Sequence, residues 1–550
     1  MPADSAKLVY LETFGCQMNE LDSELVTTQL RALGYRFTPD AEQAGVILYN
    51  TCSVREQAEQ KVWSRLGIMR QRKARQPDLL LGVLGCMAER DGRDLLRKFP
   101  HVDLLCGPGE LDKLPLLLRN ASTTAEPAIA LQGNTSRRSA TLAAAEDSLE
   151  RLDLSRSFAP DDQRAAGRSS YVRITRGCNK FCTYCVVPFT RGAEMHRPPD
   201  TIVDECRMLV QRGVVEVTLL GQTVNHYRFE HDAAVSIDGV MQPQKGRSFT
   251  GGHERDPVTG GRVTTFADLL RRIHDEVPAL RRLRFVTSYP RDFGDDVLEV
   301  IRDCPRLCRY IHVPVQSGSN RILEAMNRGY TVEEYRDFIE RIRAHLPGAM
   351  IASDVIVGFP GETEEDFEAT VDLMRWARFK NCFVFKYSRR PGTPAYDRLP
   401  DDVPDEAKRR RNNALLALQG AISRAIHVEH IGRTVEVFVE GMSTVQNRRE
   451  PVLAGEGLRP RIAAGVTGLT INGLSLLADE EGDCGTACAA AVAAPEWGES
   501  AIVQLSGRTE GDLITVFDAP RERAQSLVGA IVAVRIDEAR TLTLKGTLLE

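Results

Sequence analysis

Residues 176–185 read Arg-Gly-Cys-Asn-Lys-Phe-Cys-Thr-Tyr-Cys, which spaces Cys178, Cys182 and Cys185 as C-x3-C-x2-C. Thiolates hold iron–sulfur clusters, and a cubane cluster with a full set of protein ligands takes four of them. Three thiolates with no obvious fourth leave one iron open to a small chelating molecule. A structural zinc site is the rival reading, but zinc takes a fourth Cys or His at similarly short spacing. The nearest candidate for that ligand, His196, comes late. The cluster is therefore the stronger reading of these three cysteines.

A second set of three is spread along the chain. Residues 7–13 and 46–51 are apolar, β-rich runs, and so are residues 79–84. Each gives way to a loop or a helical pattern, at Gly15-Cys16, at Cys52 and at Gly85-Cys86. Strands alternating with helices imply a parallel sheet with right-handed crossovers. The loops leaving the carboxyl ends of such strands gather on one edge, where ligands bind. Cys16, Cys52 and Cys86 thus occupy equivalent places although about 35 residues separate each from the next. One such cysteine reads as a small buried hydrophobe. Three at the same topological place predict a second metal cluster. Cys106, after a fourth short strand, reads as structural.

The remaining chain supplies the frame. Its 550 residues suggest about three or four domains. A net charge of -5 excludes a globally basic nucleic-acid binder, so any RNA surface must be a local patch. The thirteen cysteines, an odd number, come without a signal segment or a run of about 18 apolar residues. Reduced cytoplasmic thiols and no membrane span are expected. Residues 121–168 read as a linker between an N-terminal domain (1–120) and a second α/β domain (169–397). Six strand–helix units between about 171 and 395 predict a partial barrel, short of the eight units of a closed one. Residues 228–263 look like an insertion outside the core, and Cys206 like packing. Gln222, Ser288, Gln316 and Glu362 fall at carboxyl ends of strands, where a polar side chain holds a ligand or simply caps a turn. His312 reads as a satisfied core or rim histidine. Lys408-Arg409-Arg410-Arg411, on a connecting helix (398–428), reads as a solvated face ahead of an RNA contact. Short strands after residue 429 predict a small β-barrel, interrupted by residues 441–500, which carry Cys484 and Cys488.

The C-x3-C-x2-C run with Tyr184 before its last cysteine resembles the signature of radical S-adenosylmethionine (SAM) enzymes. With residues 13–19, 50–55, 85–90, 318–320 and 326–331 added, the chain resembles the radical SAM methylthiotransferases, closest to their tRNA-modifying branch. Residues 505–509 resemble the terminal RNA-binding barrel, TRAM, of that family. Two positions depart from its wording: Thr223 and Asp512 each stand where an Asn is expected. The resemblance implies two [4Fe-4S] clusters, one on Cys178, Cys182 and Cys185 that binds SAM, the other on Cys16, Cys52 and Cys86. It implies methylthiolation of carbon 2 of an isopentenyl-bearing adenine at tRNA position 37, in the anticodon loop, by a monomer served by an electron-donor protein and a sulfur source. Tyr184, Gln222, Ser288, Gln316 and Glu362 are then candidates to hold SAM, and Arg508, Arg535 and Lys545 to contact RNA. Alternative acceptors within the family are a threonylcarbamoyl-modified adenosine in tRNA and a ribosomal-protein aspartate. A non-catalytic iron–sulfur carrier or scaffold is the rival from another class.

Overall fold

The computed structural model describes residues 7–53, 56–124, 126–132, 148–155, 169–246, 262–443 and 501–549. Cys484 and Cys488 lie outside the described residues.

The first unit is a six-stranded parallel sheet. Its order is Arg36–Phe37, Leu8–Phe14, Val46–Thr51, Leu80–Gly85, Leu104–Cys106, Ala128–Ala130. Successive side chains of a strand point to opposite faces, so a sheet covered on both sides reads as a continuous apolar run. Val46 and Leu48 enter one core with the helix Gln17–Ala32, while Ile47 and Tyr49 enter the other with the helix Glu56–Arg75. The strand Ala128–Ala130 falls in the segment expected to be a linker; three residues are too few for periodicity to reveal. The helix Ser148–Ser155 falls there too. It places Glu150 and Asp153, both buried, against Arg197 and Arg173 of the next unit.

The second unit carries six parallel strands in chain order. Ser169–Arg173, Glu216–Leu220 and Arg282–Phe285 form one sheet. Tyr310–His312, Met350–Val357 and Asn381–Lys386 form another. A single bridge, Leu283 to Leu307, and the bond from Ser288 N–H to His312 O (3.1 Å) join the two into one arc. One continuous apolar core fills it, and Cys206 packs there. The 228–263 segment is not wholly outside that core. Arg228–Glu230 pairs with Val263–Thr265, and Phe229 is buried among the core side chains.

The third unit is a closed five-stranded barrel of Thr434–Met442, Ile502–Arg508, Ile514–Pro520, Leu544–Leu548 and Ile531–Ala539. The helix Asp405–Val428 precedes it. Half of the 408–411 basic run departs from the expected solvated face. Lys408 and Arg411 are buried, held by Asp401 (2.6 Å) and by Glu362 (2.6 Å). No helix among the described residues is long and apolar enough to cross a membrane.

Candidate active site

The register of the first sheet aligns Phe14, Thr51 and Gly85 in one row across three strands. Cys16, Cys52 and Cys86 follow that row within two residues, so the carboxyl edge of the sheet gathers them. Two glycines permit the approach. A Cβ on Gly15 would stand 2.4 Å from Asn19 Oδ1 and 2.9 Å from Cys52 Cβ. Gly85 has φ +89, and its Cβ would meet Asn50 Oδ1 at 2.5 Å. Beneath them Asn19 Nδ2 donates to Asn50 Oδ1 (3.1 Å), and Asn50 Nδ2 donates to Asn19 O (2.9 Å) and Ser23 Oγ (2.9 Å). This buried amide pair ties the first cysteine loop to the end of the neighbouring strand. Burial pushes the Cys86 thiol up; the positive charge of Arg191 opposes that, and the charge of Cys16 adds to it.

The second set lies on the loop after Ser169–Arg173. Gly177 has φ +69, and a Cβ there would stand 2.1 Å from Ala193 O, so the loop and its return lie back to back. Cys178 N–H donates to Gly192 O (3.2 Å) and Cys185 N–H to Cys182 O (3.0 Å). Thr183 Oγ1 donates to Ala325 O (2.8 Å), and Asn327 Nδ2 to Phe181 O (3.1 Å). Burial, then the charges of Glu194 and Cys182, push the Cys178 thiol up to about 12. Burial and the two other thiols also raise Cys185. Buried, mutually repelling thiols of this kind become thiolates readily only when a metal takes the charge. Three cysteines on one loop thus fit the ligand set of an iron–sulfur cluster.

Arg328 completes this environment and was not singled out from sequence. Its Nη1 lies 3.4 Å from Cys182 Sγ, its Nη2 donates to Pro314 O (2.9 Å), and its Nε donates to Tyr330 Oη (2.9 Å). The guanidinium carbon sits 4.8 Å and 5.2 Å from the ring centroids of Tyr289 and Tyr330. A buried cation beside a thiolate offsets the negative charge that a cluster brings. The only sequence signal was its place in the 326–331 run.

The rim residues divide. Ser288 is buried and its hydroxyl has no partner, so it fits a polar group of a bound cofactor. Gln316 is buried with φ 75, a left-handed backbone unusual for a non-glycine residue and characteristic of ligand-holding positions. Gln222 is half-buried, and Tyr184 Oη lies 3.5 Å from Arg328 Nη1. Glu362 is held within the fold: its Oε2 accepts from Gly358 N–H (2.7 Å) and Arg411 Nη1 (2.6 Å), anchoring the 405–428 helix. His312 sits at the rim, 3.0 Å from Asp354.

The two cysteine sets meet across one short segment. Cys185 precedes the helix Val187–Thr190, and Arg191 at its end pairs with Asp22 (2.8 Å), while its charge lowers the Cys86 thiol. Asp22 is fully buried and also takes Arg173 (3.0 Å). In the terminal barrel, Arg508 is turned inward between Glu440 (2.9 Å) and Asp512 (3.0 Å). Arg535 and Lys545 lie on neighbouring strands, Arg535 exposed and 3.3 Å from Asp537.

Comparison with known proteins agrees with this architecture. Residues 8–107 match the "Uncharacterized protein family UPF0004" and residues 172–374 the "Radical SAM superfamily". The chain is 39% identical over 541 residues to the tRNA-2-methylthio-N(6)-dimethylallyladenosine synthase of Rhodopirellula baltica, covering 98% of this chain and 95% of that one. It is 40% identical to the enzyme of that name from Syntrophotalea carbinolica (80% of this chain, 90% of that one) and 37% to that of Moorella thermoacetica (98% and 97%). Among solved structures, the radical SAM methyltransferase TsrM from Kitasatospora setae aligns with a TM-score of 0.47 at 16% identity, covering 71% of this chain and 75% of that one. With matched domains at both ends of the candidate site and relatives of one name along nearly the whole chain, this protein belongs to the radical SAM tRNA-2-methylthio-N(6)-dimethylallyladenosine synthase family.

Proposed function

We infer that this chain is a transferase that adds a methylthio group to carbon 2 of isopentenyladenosine at position 37 of tRNA. The observation that carries this reading is the pair of three-cysteine sets, one on the loop ending at Cys185 and one at the carboxyl edge of the first sheet, joined by Arg191, which pairs with Asp22 (2.8 Å) on the helix that Cys16 caps. An unactivated aromatic C–H resists ordinary acid–base groups, so SAM and the [4Fe-4S] clusters, when bound, supply the radical chemistry and the methylated sulfur. Cys178, Cys182 and Cys185 would hold the cluster that supplies the electron for SAM cleavage. Cys16, Cys52 and Cys86 hold the other. Ser288, Gln316, Gln222 and Tyr184 offer polar atoms for SAM at the rim. Arg328 balances thiolate charge, and Arg191 keeps the two loops together. An anticodon loop suits this chemistry because its unpaired bases can be splayed out and presented to a protein site. Arg535 and Lys545 are the barrel's candidates for phosphate, whereas Arg508 braces the barrel. The enzyme works as a cytoplasmic monomer with an electron-donor protein and a sulfur source.

Two measurements test this. Anaerobic reconstitution should give about eight irons per chain, from two cubanes; a count near four would remove the second site. Cells lacking this protein should lose 2-methylthio-isopentenyladenosine from hydrolysed tRNA and accumulate isopentenyladenosine. An unchanged nucleoside profile, in a cell with no other enzyme for this step, would refute the substrate.

A further inference from the structure

We propose that Glu194, His196 and His226 form a mononuclear site for a divalent transition metal, zinc under cellular conditions, beside the SAM-cluster loop. One donor atom from each residue lies within 4.8 Å of the other two, and Glu194 Oε2 is 2.6 Å from His226 Nδ1. Bonds of about 2.0–2.2 Å to a tetrahedral metal put donor atoms about 3.4 Å apart, so the wider edges of the triangle must contract by about an ångström and the Glu194–His226 edge must open by a little less. Glu194 and His196 are both buried, at 1% and 3% exposure. Each keeps an orphaned polar atom: Glu194 Oε1 and His196 Nδ1 have no hydrogen-bond partner. Buried polar atoms are nearly always satisfied, so two orphans in one three-residue cluster call for a missing ligand.

The chemistry of the set selects the ion. Two imidazoles and a carboxylate suit zinc and the neighbouring first-row divalents, whereas calcium and magnesium take all-oxygen shells. The ring of His196 is neutral at physiological pH, because burial lowers it to about 4. The His226 side chain is 31% exposed, which leaves a water-accessible side for a further ligand.

The surroundings indicate the purpose. Met195–His196 is the middle strand between Thr175–Arg176 and Gln244–Lys245. Asn179, next to Cys178, accepts from Glu194 N–H (3.1 Å) and donates to Gly246 O (3.3 Å). Gly246 closes over the cluster: a Cβ there would stand 2.9 Å from His196 Nε2 and 3.0 Å from Glu194 Oε2. A metal here would pin three segments against the residue that follows Cys178. It also assigns a task to the 244–246 part of the inserted segment.

The test uses the full chain with both clusters reconstituted anaerobically, so that cysteine thiolates are already occupied. Zinc and iron are measured together after exposure to zinc and dialysis. Wild type should retain about one zinc per chain, and H196S and H226A should each lose it with iron unchanged. Added zinc should raise the unfolding midpoint of wild type but not of H226A. Should either variant fold poorly, cobalt loading of wild type decides alone. Weak d–d bands without thiolate-to-cobalt charge transfer are expected for nitrogen and oxygen donors. Wild type retaining no zinc, variants retaining as much as wild type, or a thiolate charge-transfer band would each overturn the proposal.

Discussion

Arg328 shows at the level of a single side chain how the environment of the Cys178–Cys185 loop is tuned. Its guanidinium is buried beside Cys182 and held by one carbonyl oxygen, of Pro314, and one phenol oxygen, of Tyr330. Replacing it with Gln removes the positive charge nearest that sulfur while keeping hydrogen-bonding capacity. R328Q should keep its iron, show a more negative reduction potential by potentiometric EPR, and form 5′-deoxyadenosine about 10–100-fold more slowly. An unchanged potential would reduce Arg328 to a packing residue. Gly85 offers a second test. Ala there must adopt φ +89 and place a Cβ 2.5 Å from Asn50 Oδ1. G85A should cost about 1–3 kcal/mol in denaturant titration and lower iron occupancy of the N-terminal set. The placement of the six cysteines, three on one loop and three at one sheet edge, was legible because three share a short motif and three a topological place. Arg328 was not, because its sulfur partner is 146 residues away and only the folded arc brings them together.

The long strands and helices were legible for a related reason: each carries its own period. The two- and three-residue edge strands Arg36–Phe37 and Ala128–Ala130 carry none, and they exist only because a neighbouring strand offers free backbone groups. At Ser319 the hydroxyl accepts from Ile322 N–H and caps the helix Asn320–Ala325. The same site holds a linkage that spacing could not reveal. Asp366, in the capping box of the helix Glu364–Ala377, takes Ser319 Oγ (2.5 Å) and so ties two helix starts together. Burial alone would raise its carboxyl, but Ser319, the Thr363 N–H and Arg321 hold it down to about 2. A depressed carboxyl contributes stability above its unfolded value of about 3.9, and that contribution is lost as pH falls through the folded value. D366N should therefore cost about 1 kcal/mol at neutral pH, after solvent screening. The difference from wild type should close as unfolding is measured from pH about 4 down to about 2. A constant difference over that range would show that the charge is not what holds the two caps.

Over the whole molecule, buried arginines occupy each interface between units. Asp22 takes Arg173 and Arg191, Glu59 takes Arg390, and the barrel is held from below by Arg282 and Arg284. Arg282 donates to Arg508 O and Glu436 O (both 2.9 Å). Arg284 donates to Thr509 O (2.5 Å) and Glu510 O (3.1 Å), with Glu216 (2.8 Å) as its counter-ion. Guanidinium groups that satisfy several backbone carbonyls at fixed angles set orientation as well as adhesion. Asp512 continues the seam from the barrel side: at φ 63 it accepts from Lys380 (2.6 Å) and pairs with Arg508. The departure from Asn at this position therefore adds a charge where two cations already converge. If this seam fixes how RNA reaches the cysteine loops, loosening it should separate the two halves of the reaction. The double variant R282A/R284A leaves every cysteine and rim residue in place, so cluster loading and RNA-independent SAM cleavage should stay within about twofold of wild type, as expected for sites that share no partners. Methylthiolation of tRNA should fall by about tenfold or more, because misplacing the reacting base by an ångström is costly. Small-angle scattering should show an expanded envelope. Full tRNA turnover with an expanded envelope would mean that the barrel's orientation is not what delivers the base.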